Sequence, residues 1–155
     1  TSGREAFALR EAGFKDTIAE KRPDCEIIST QASENITLEE CVRITEDWIT
    51  QFGDEIDAIV TVGNFQSSGV AEALKAAGLT GKIINISGIH VGTWDADMIR
   101  NKEADYAVAI TFDALGELCA DVVRNWYNGQ EIEDETMLEI FDVTIDNVDE
   151  LFPKE

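Results

Sequence analysis

AIVTVGNFQSSGVAEALKAAG, residues 58–78, divides into an apolar run, a polar turn at Gly63 and Asn64, and a helix closing on Gly78. The run Ala58–Val62 is short, partly β-branched and without a polar face. That is the pattern of a parallel strand buried on both sides, in a sheet that carries helices on both faces. After the turn, Val70, Ala71, Leu74 and Ala77 share one helical face, and Ser67 or Ser68 is placed to cap the first turn. The polar turn therefore sits at a strand's carboxyl end, the edge where open α/β sheets bind ligands. Gly63–Gln66 is either the start of a ligand site or an ordinary strand-to-helix turn.

Strand and helix signals alternate on both sides of this unit. Ser2 with Glu5 forms a capping box, and Phe7, Phe14 and Ile18 follow at helical spacing. Cys25–Thr30, CEIIST, reads as a strand entered through Pro23, with Gln31–Asn35 as the polar loop at its carboxyl end. Thr37–Phe52 is the clearest helix: Thr37 and Glu40 form a capping box, Leu38, Cys41, Val42, Thr45, Trp48, Ile49 and Phe52 repeat at three and four, and Gly53 ends it. Ile83–Ile86 is the next strand and Ser87–Gly92 the polar turn after it. A short helix from Thr93 carries Ala96 and Ile99, and Tyr106–Ile110 gives a further strand. In the helix Ala114–Asn128, Leu115, Leu118, Cys119, Val122 and Trp126 form one stripe, and Gly129 closes it. A last strand candidate lies near Met137–Ile145. The main strands are thus expected near residues 25–30, 56–62, 83–86 and 106–110, with 58–62 away from the sheet edge. This alternation implies an α/β fold, a Rossmann-like parallel sheet with right-handed crossovers, flanked by helices.

Length and charge narrow the function classes. A chain of 155 residues suits one compact domain or one lobe of a larger protein. The formal charge of −20, from 32 acidic and 12 basic residues, repels nucleic acid and anionic membrane surfaces. A 44% hydrophobic content in a regular pattern separates the chain from disordered acidic proteins. Its apolar runs fall well short of the roughly 20 residues of a membrane-spanning helix. No amino-terminal segment joins basic residues to an apolar core, which leaves a cytosolic protein or one whose export signal lies outside this chain. An α/β chain that opens on a helix with no strand before it reads as a cut one.

The residues for catalysis or metal binding are missing from the pattern. Cys25, Cys41 and Cys119 are widely spaced and read as small apolar core residues rather than ligands. His90 is the only histidine, which excludes a zinc site built on several imidazoles. The nucleophile elbow, the phosphate loop and the dinucleotide fingerprint are all absent from the sequence. Asp57, Asp95, Asp97 and Asp113 lie near strand or helix ends and read as solvated or capping carboxylates. No cofactor, metal or catalytic residue is expected, and the chain does not read as an enzyme.

Arg10-Glu11-Ala12-Gly13-Phe14, Asp57–Val60, Gly69 through Ala73–Gly78, and Gly129 after the last long helix resemble, in order and spacing, the type I periplasmic sugar-binding proteins. The resemblance covers about Arg4 to Asn147, and among family members it is nearest the ribose-binding type. It implies two Rossmann-like lobes joined by three crossovers, with ligand in the cleft between them. Only the carboxyl-terminal half is matched. Residues 1–111 would be the carboxyl-terminal ligand-binding lobe without its first strand, 112–142 the segment that crosses to the other lobe, and 143–155 the return. The missing strand would leave an unpaired sheet edge, through which copies of the chain are expected to associate.

What the resemblance implies for individual residues follows from the motifs. Arg10 matches the family arginine that points into the cleft and holds ligand hydroxyls with its fork of donors; the alternative is a surface arginine paired with an acid. Gly63-Asn64 aligns with the family's Asn-Asp, so the first side chain is lost and Asn64 acts alone. His90 aligns with an aspartate that accepts from sugar hydroxyls; an imidazole both donates and accepts. Asn35 stands at the carboxyl end of the strand expected at residues 25–30. Arg10, Asn35, Asn64 and His90 are thus the expected ligand-binding set. The implied function is that of an extracytoplasmic solute-binding protein serving a membrane permease, as part of an ABC transporter, or a receptor. Its ligand would be a carbohydrate or another small polar metabolite. Two alternatives are the ligand-binding domain of a sugar-responsive transcription repressor and a flavodoxin-like enzyme.

Overall fold

Strand pairing sorts the chain into one sheet with helices packed across it. A computed structural model describes residues 2–33, 35, 37–90, 93–133 and 136–154, without the side chains of residues 2–4, 89, 90 and 93–95. The elements are α1 (Ser2–Lys21), α2 (Leu38–Phe52), β1 (Ala58–Val60), α3 (Asn64–Ala76), β2 (Ile84–His90), α4 (Thr93–Arg100), β3 (Tyr106–Ala109), α5 (Phe112–Tyr127), β4 (Phe141–Val143) and α6 (Val148–Leu151). Four strands lie side by side in chain order, the first three parallel and β4 antiparallel to β3. The protein is an α/β fold with a mixed sheet.

Register explains which side chains reach the core. Ile59 stands opposite Asn85, Ser87 opposite Ala107, and Ala107 opposite Val143, and all of these are buried. Ile59 joins Val70 and Leu74 of α3 and Ile83, closed over by Trp48, Ile49 and Phe52 of α2. Across the same face, Ala107, Ala109 and Val143 pack with Ala71, with Ala96, Met98 and Ile99 of α4, and with Val148 and Phe152. The tail is fastened there by Arg100, which donates to Asp97 at 2.9 Å, to Asp149 at 2.7 Å and to the Phe152 carbonyl. That guanidinium holds the Asp149 carboxyl below the usual carboxylate range.

One buried polar group organises the middle of the sheet. Asn85 is 1% exposed, and its Oδ1 accepts from Ser67 Oγ at 3.1 Å while Nδ2 donates to the carbonyls of Ser67 and Glu103 at 3.0 and 2.8 Å. Its backbone N–H donates to Asp105 Oδ2 at 2.9 Å, and its carbonyl accepts from the Asp105 N–H. A buried carboxamide is tolerated where every donor and acceptor is met, and here its bonds tie β2 to α3 and to the loop entering β3.

Several expectations from sequence need correction. Cys25–Thr30 forms no strand: it has no ladder partner among the described residues, and Ile27 and Ile28 stay exposed. An apolar run becomes a strand only when a neighbour takes up its backbone hydrogen bonds, and among the described residues β1 pairs with β2 alone. The run at Ala58–Val62 is accordingly an edge strand, not an interior one, and only three residues long. The face bearing Ala58, Val60, Ile84 and Ile86 is only partly covered, with Ile84 48% exposed. The sheet is not all parallel, since the tail candidate near 137–145 supplies β4 in the antiparallel sense. The strand expected at Ile83–Ile86 extends to His90, with its register shifting between Ser87 and His90. Helix α3 starts at Asn64, with Gly63 rather than Ser67 or Ser68 at its cap, and those serines bond Asn85 and Met98 instead. The stripe of α5 is only partly covered: Leu118 and Val122 are half-buried and the helix has no buried residue, so Cys119 is exposed, as is Cys25, and only Cys41 is the buried apolar cysteine expected. Burial pushes the Cys41 thiol up, as for an inert core cysteine. Thr37 caps α2 as read, accepting the Glu40 N–H at 3.3 Å.

Two predictions follow from this packing. A Cβ at Gly88 would lie 2.5 Å from both the Thr61 carbonyl oxygen and the Val62 carbonyl carbon, so β2 approaches the end of β1 backbone to backbone. Gly88→Ala forces these strand ends apart and is expected to cost on the order of 3 kcal/mol, read as a lowered midpoint in urea unfolding at constant m. Tyr106 donates its hydroxyl to Asp142 across β3 and β4, and burial first, then this bond and the adjacent charge, push its phenol up to about 12. A neutral phenol is therefore favoured in the folded state. Its stabilising contribution is complete below the ordinary tyrosine pKa of about 10 and is lost as pH rises through about 12. Tyrosinate absorbance is expected to show a step near pH 12 that Tyr106→Phe removes.

Candidate functional site

The candidate site lies at the carboxyl ends of β1 and β2, where Arg10 of α1 reaches the chain. Thr61 fixes the turn: its N–H donates to the Ile86 carbonyl at 2.9 Å and its Oγ1 to the Gly63 carbonyl at 3.0 Å. Arg10 reaches from α1 to this turn, donating from Nη1 to the Val62 carbonyl at 3.0 Å. The guanidinium lies 5.5 Å from the centre of the Phe7 ring, one helical turn back on the same face. No ion pair holds Arg10 among the described residues, so the surface pairing open to it from sequence is not what is found. With one N–H on Val62, the other donors of its fork have no partner among the described residues.

The remaining candidates stand in different relation to Arg10. Asn64 begins α3 two residues past Val62, and its Oδ1 accepts the N–H of the next residue, Phe65, at 2.9 Å. His90 ends β2, opposite Ala109 of β3, two residues beyond the Gly88 contact with Val62; its side chain lies outside the described residues. Arg10, Asn64 and the backbone of His90 are therefore gathered at one end of the sheet. Asn35 belongs to the loop before α2, where its N–H donates to Glu40 at 3.0 Å beside Ser33, which donates to the same carboxylate at 2.8 Å. Its side chain is exposed, and no contact ties it to the other three among the described residues.

Two side chains at this edge were not among those singled out by type. The Phe7 ring and the Gln66 carboxamide both crowd Gly63: a Cβ there would lie 2.8 Å from Gln66 Oε1 and 3.7 Å from Phe7 Cε1. In the sequence Phe7 is indistinguishable from Phe14 and Ile18, and only its i,i+3 spacing to Arg10 marks it. A separate depression of about 240 Å³ lies between α3 and α4, lined by Ser68, Ala71, Glu72, Lys75, Met98 and Glu103, and holds none of the site candidates. No group of three or more metal-ligating side chains occurs among the described residues.

Donors and amides at the carboxyl edge of a parallel sheet suit the binding of a small polar solute. Comparison with known proteins places that edge in a family. The model for the periplasmic binding protein domain matches residues 2–131. The xylitol-binding protein of Mycolicibacterium smegmatis is 28% identical over 137 residues, 86% of this chain and 38% of that protein. The ABC transporter solute-binding protein of Bacillus halodurans, solved with bound myo-inositol, is 26% identical with a TM-score of 0.77, over 93% of this chain and 48% of that one. Another from Agrobacterium vitis, bound to alpha-D-tagatopyranose, superposes at a TM-score of 0.80 with 19% identity, over 92% and 46%. The chain thus spans less than half the length of these relatives. With the family model spanning most of its length and the fold matching, this chain belongs to the sugar-type periplasmic binding proteins.

Proposed function

We propose that the protein carrying this chain is the extracytoplasmic solute-binding component of an ABC transporter or sensor system. It binds a carbohydrate or a related polyhydroxy metabolite in a cleft between this lobe and a second one, and it performs no chemistry on it. The observation that carries this reading is Arg10: anchored on the Val62 carbonyl and free of a carboxylate partner among the described residues, it offers fixed donors at the ligand-binding edge of the sheet. The relatives matched are solute-binding proteins, and their bound or named ligands are sugars and polyols. Asn35, Asn64 and His90 line the same cleft in this proposal, and closure of the lobes buries the ligand and presents the loaded form to a membrane permease or receptor.

In the same reading residues 1–111 are the ligand-binding lobe, 112–142 cross to the second lobe and 143–155 return. The partly covered stripe of α5 supports this, with Leu115, Trp126 and Tyr127 exposed and Met137 and Ile140 exposed after it. So does the burial of Val143 and Val148 back in the first lobe's core. An apolar stripe of this kind is stable in water when a partner surface covers it.

Calorimetric titration of the full protein with pentoses, hexoses, pentitols and inositols tests the proposal. Arg10→Ala is expected to weaken the best ligand by about 10- to 100-fold, the loss of one or more charged hydrogen bonds of roughly 1.5 to 3 kcal/mol each. Unchanged affinity in this variant rules the site out.

A further inference from the structure

We infer that the Gln66 carboxamide is a ligand-reading group of this cleft and sets which polyhydroxy solutes it accepts. The inference rests on the solute-binding reading above. Gly63 has extended backbone, φ −157° and ψ 160°, which any residue adopts, so nothing in its conformation demands glycine. What fills the space beside it is Gln66: its Oε1 lies 2.8 Å from where a Cβ at 63 would stand. The carboxamide has thus taken the place of a side chain at the first residue beyond Val62, the residue whose carbonyl holds Arg10.

Three further observations point to a ligand. The Gln66 side chain is half-buried and makes no hydrogen bond to a described residue, in contrast to the fully bonded carboxamide of Asn85. Phe7 bounds the same space at 3.7 Å and also underlies the Arg10 guanidinium, so one ring sets the positions of both polar groups. The sequence from Gly63 lies at the start of α3, held on β2 by the Ser67–Asn85 bonds, so the carboxamide is carried on a rigid element. A carboxamide offers two donors and an acceptor, and neighbouring hydroxyls of a neutral polyol offer both in return. Arg10 supplies donors only. Together they read a pair of hydroxyls, one as acceptor and one in both senses.

The test is calorimetric titration of the full protein with xylitol, myo-inositol and D-tagatose. Gln66→Met keeps the packing against Phe7 and removes the hydrogen bonds, and Gln66→Ala removes both. Each is expected to weaken the best of the three solutes by about 10-fold and to change their ranking, with an unchanged thermal midpoint. In Gln66→Ala the space beside Gly63 opens, so adding Gly63→Asn restores a carboxamide there and is expected to recover most of the affinity. Wild-type affinity and ranking in both single variants overturn the role of Gln66 while leaving the solute-binding reading standing. Affinity lost in Gln66→Ala but kept in Gln66→Met overturns it too, because packing alone then explains the loss. A wild-type protein that binds none of the three overturns both.

Discussion

Everything at the carboxyl edge of the sheet depends on a carboxamide that no solvent reaches. Asn85 sits in a strand among aliphatic neighbours, where an unmet donor or acceptor would cost about 1 to 3 kcal/mol, and it meets each by bonding to α3 and to the loop before β3. Apolar packing is indifferent to small slides of a helix along a sheet, whereas hydrogen bonds of 2.8 to 3.1 Å are not. Ser67 is one turn into α3, so its bonds to Asn85 fix the height of the helix start. Gly63, Asn64 and Gln66 inherit their positions from that constraint, and Arg10 reaches the same turn from the other side.

The parts of this fold that could be read from the sequence are those whose pattern has a local cause. Thr37 and the spacing of Cys41, Trp48, Ile49 and Phe52 specify a capped amphipathic helix whatever surrounds it, and α2 follows the reading to within a residue. The polar turn at Gly63 and Asn64 likewise marks the junction between β1 and α3. What failed was whatever depended on a neighbour. CEIIST and AIVTV have the composition of strands, but pairing is a property of two segments, and composition says nothing of whether the second is at hand. The stripe on α5 has the same periodicity as that of α2, and periodicity does not say which surface covers it, so Cys119, read as a core residue, is exposed. Ser67 has the chemistry of a helix cap, and only the three-dimensional position of Asn85 reveals its other use.

Charge bears on the site in a way the local geometry does not. Arg10 is one of 12 basic residues in a chain with 32 acidic ones, and it sits at the carboxyl end of β1 without a carboxylate partner among the described residues. The field of a protein at −20 disfavours the approach of anions over distances of a Debye length, about 8 Å in physiological salt. A neutral solute feels none of this. In the proposed function the guanidinium would act through hydrogen-bond geometry rather than attraction at a distance, which suits hydroxyl recognition.

Ala109, the last residue of β3, stands opposite Phe141, the first of β4, in antiparallel register. The chain therefore leaves the sheet toward α5 and comes back from it at adjacent points. Beyond the return, Arg100 grips Asp149 and the Phe152 carbonyl, so that end is clamped to α4. Two connections rooted side by side on one sheet are placed like the pins of a door. In the proposed two-lobed protein, a second lobe mounted on α5 would swing about the line through these two points.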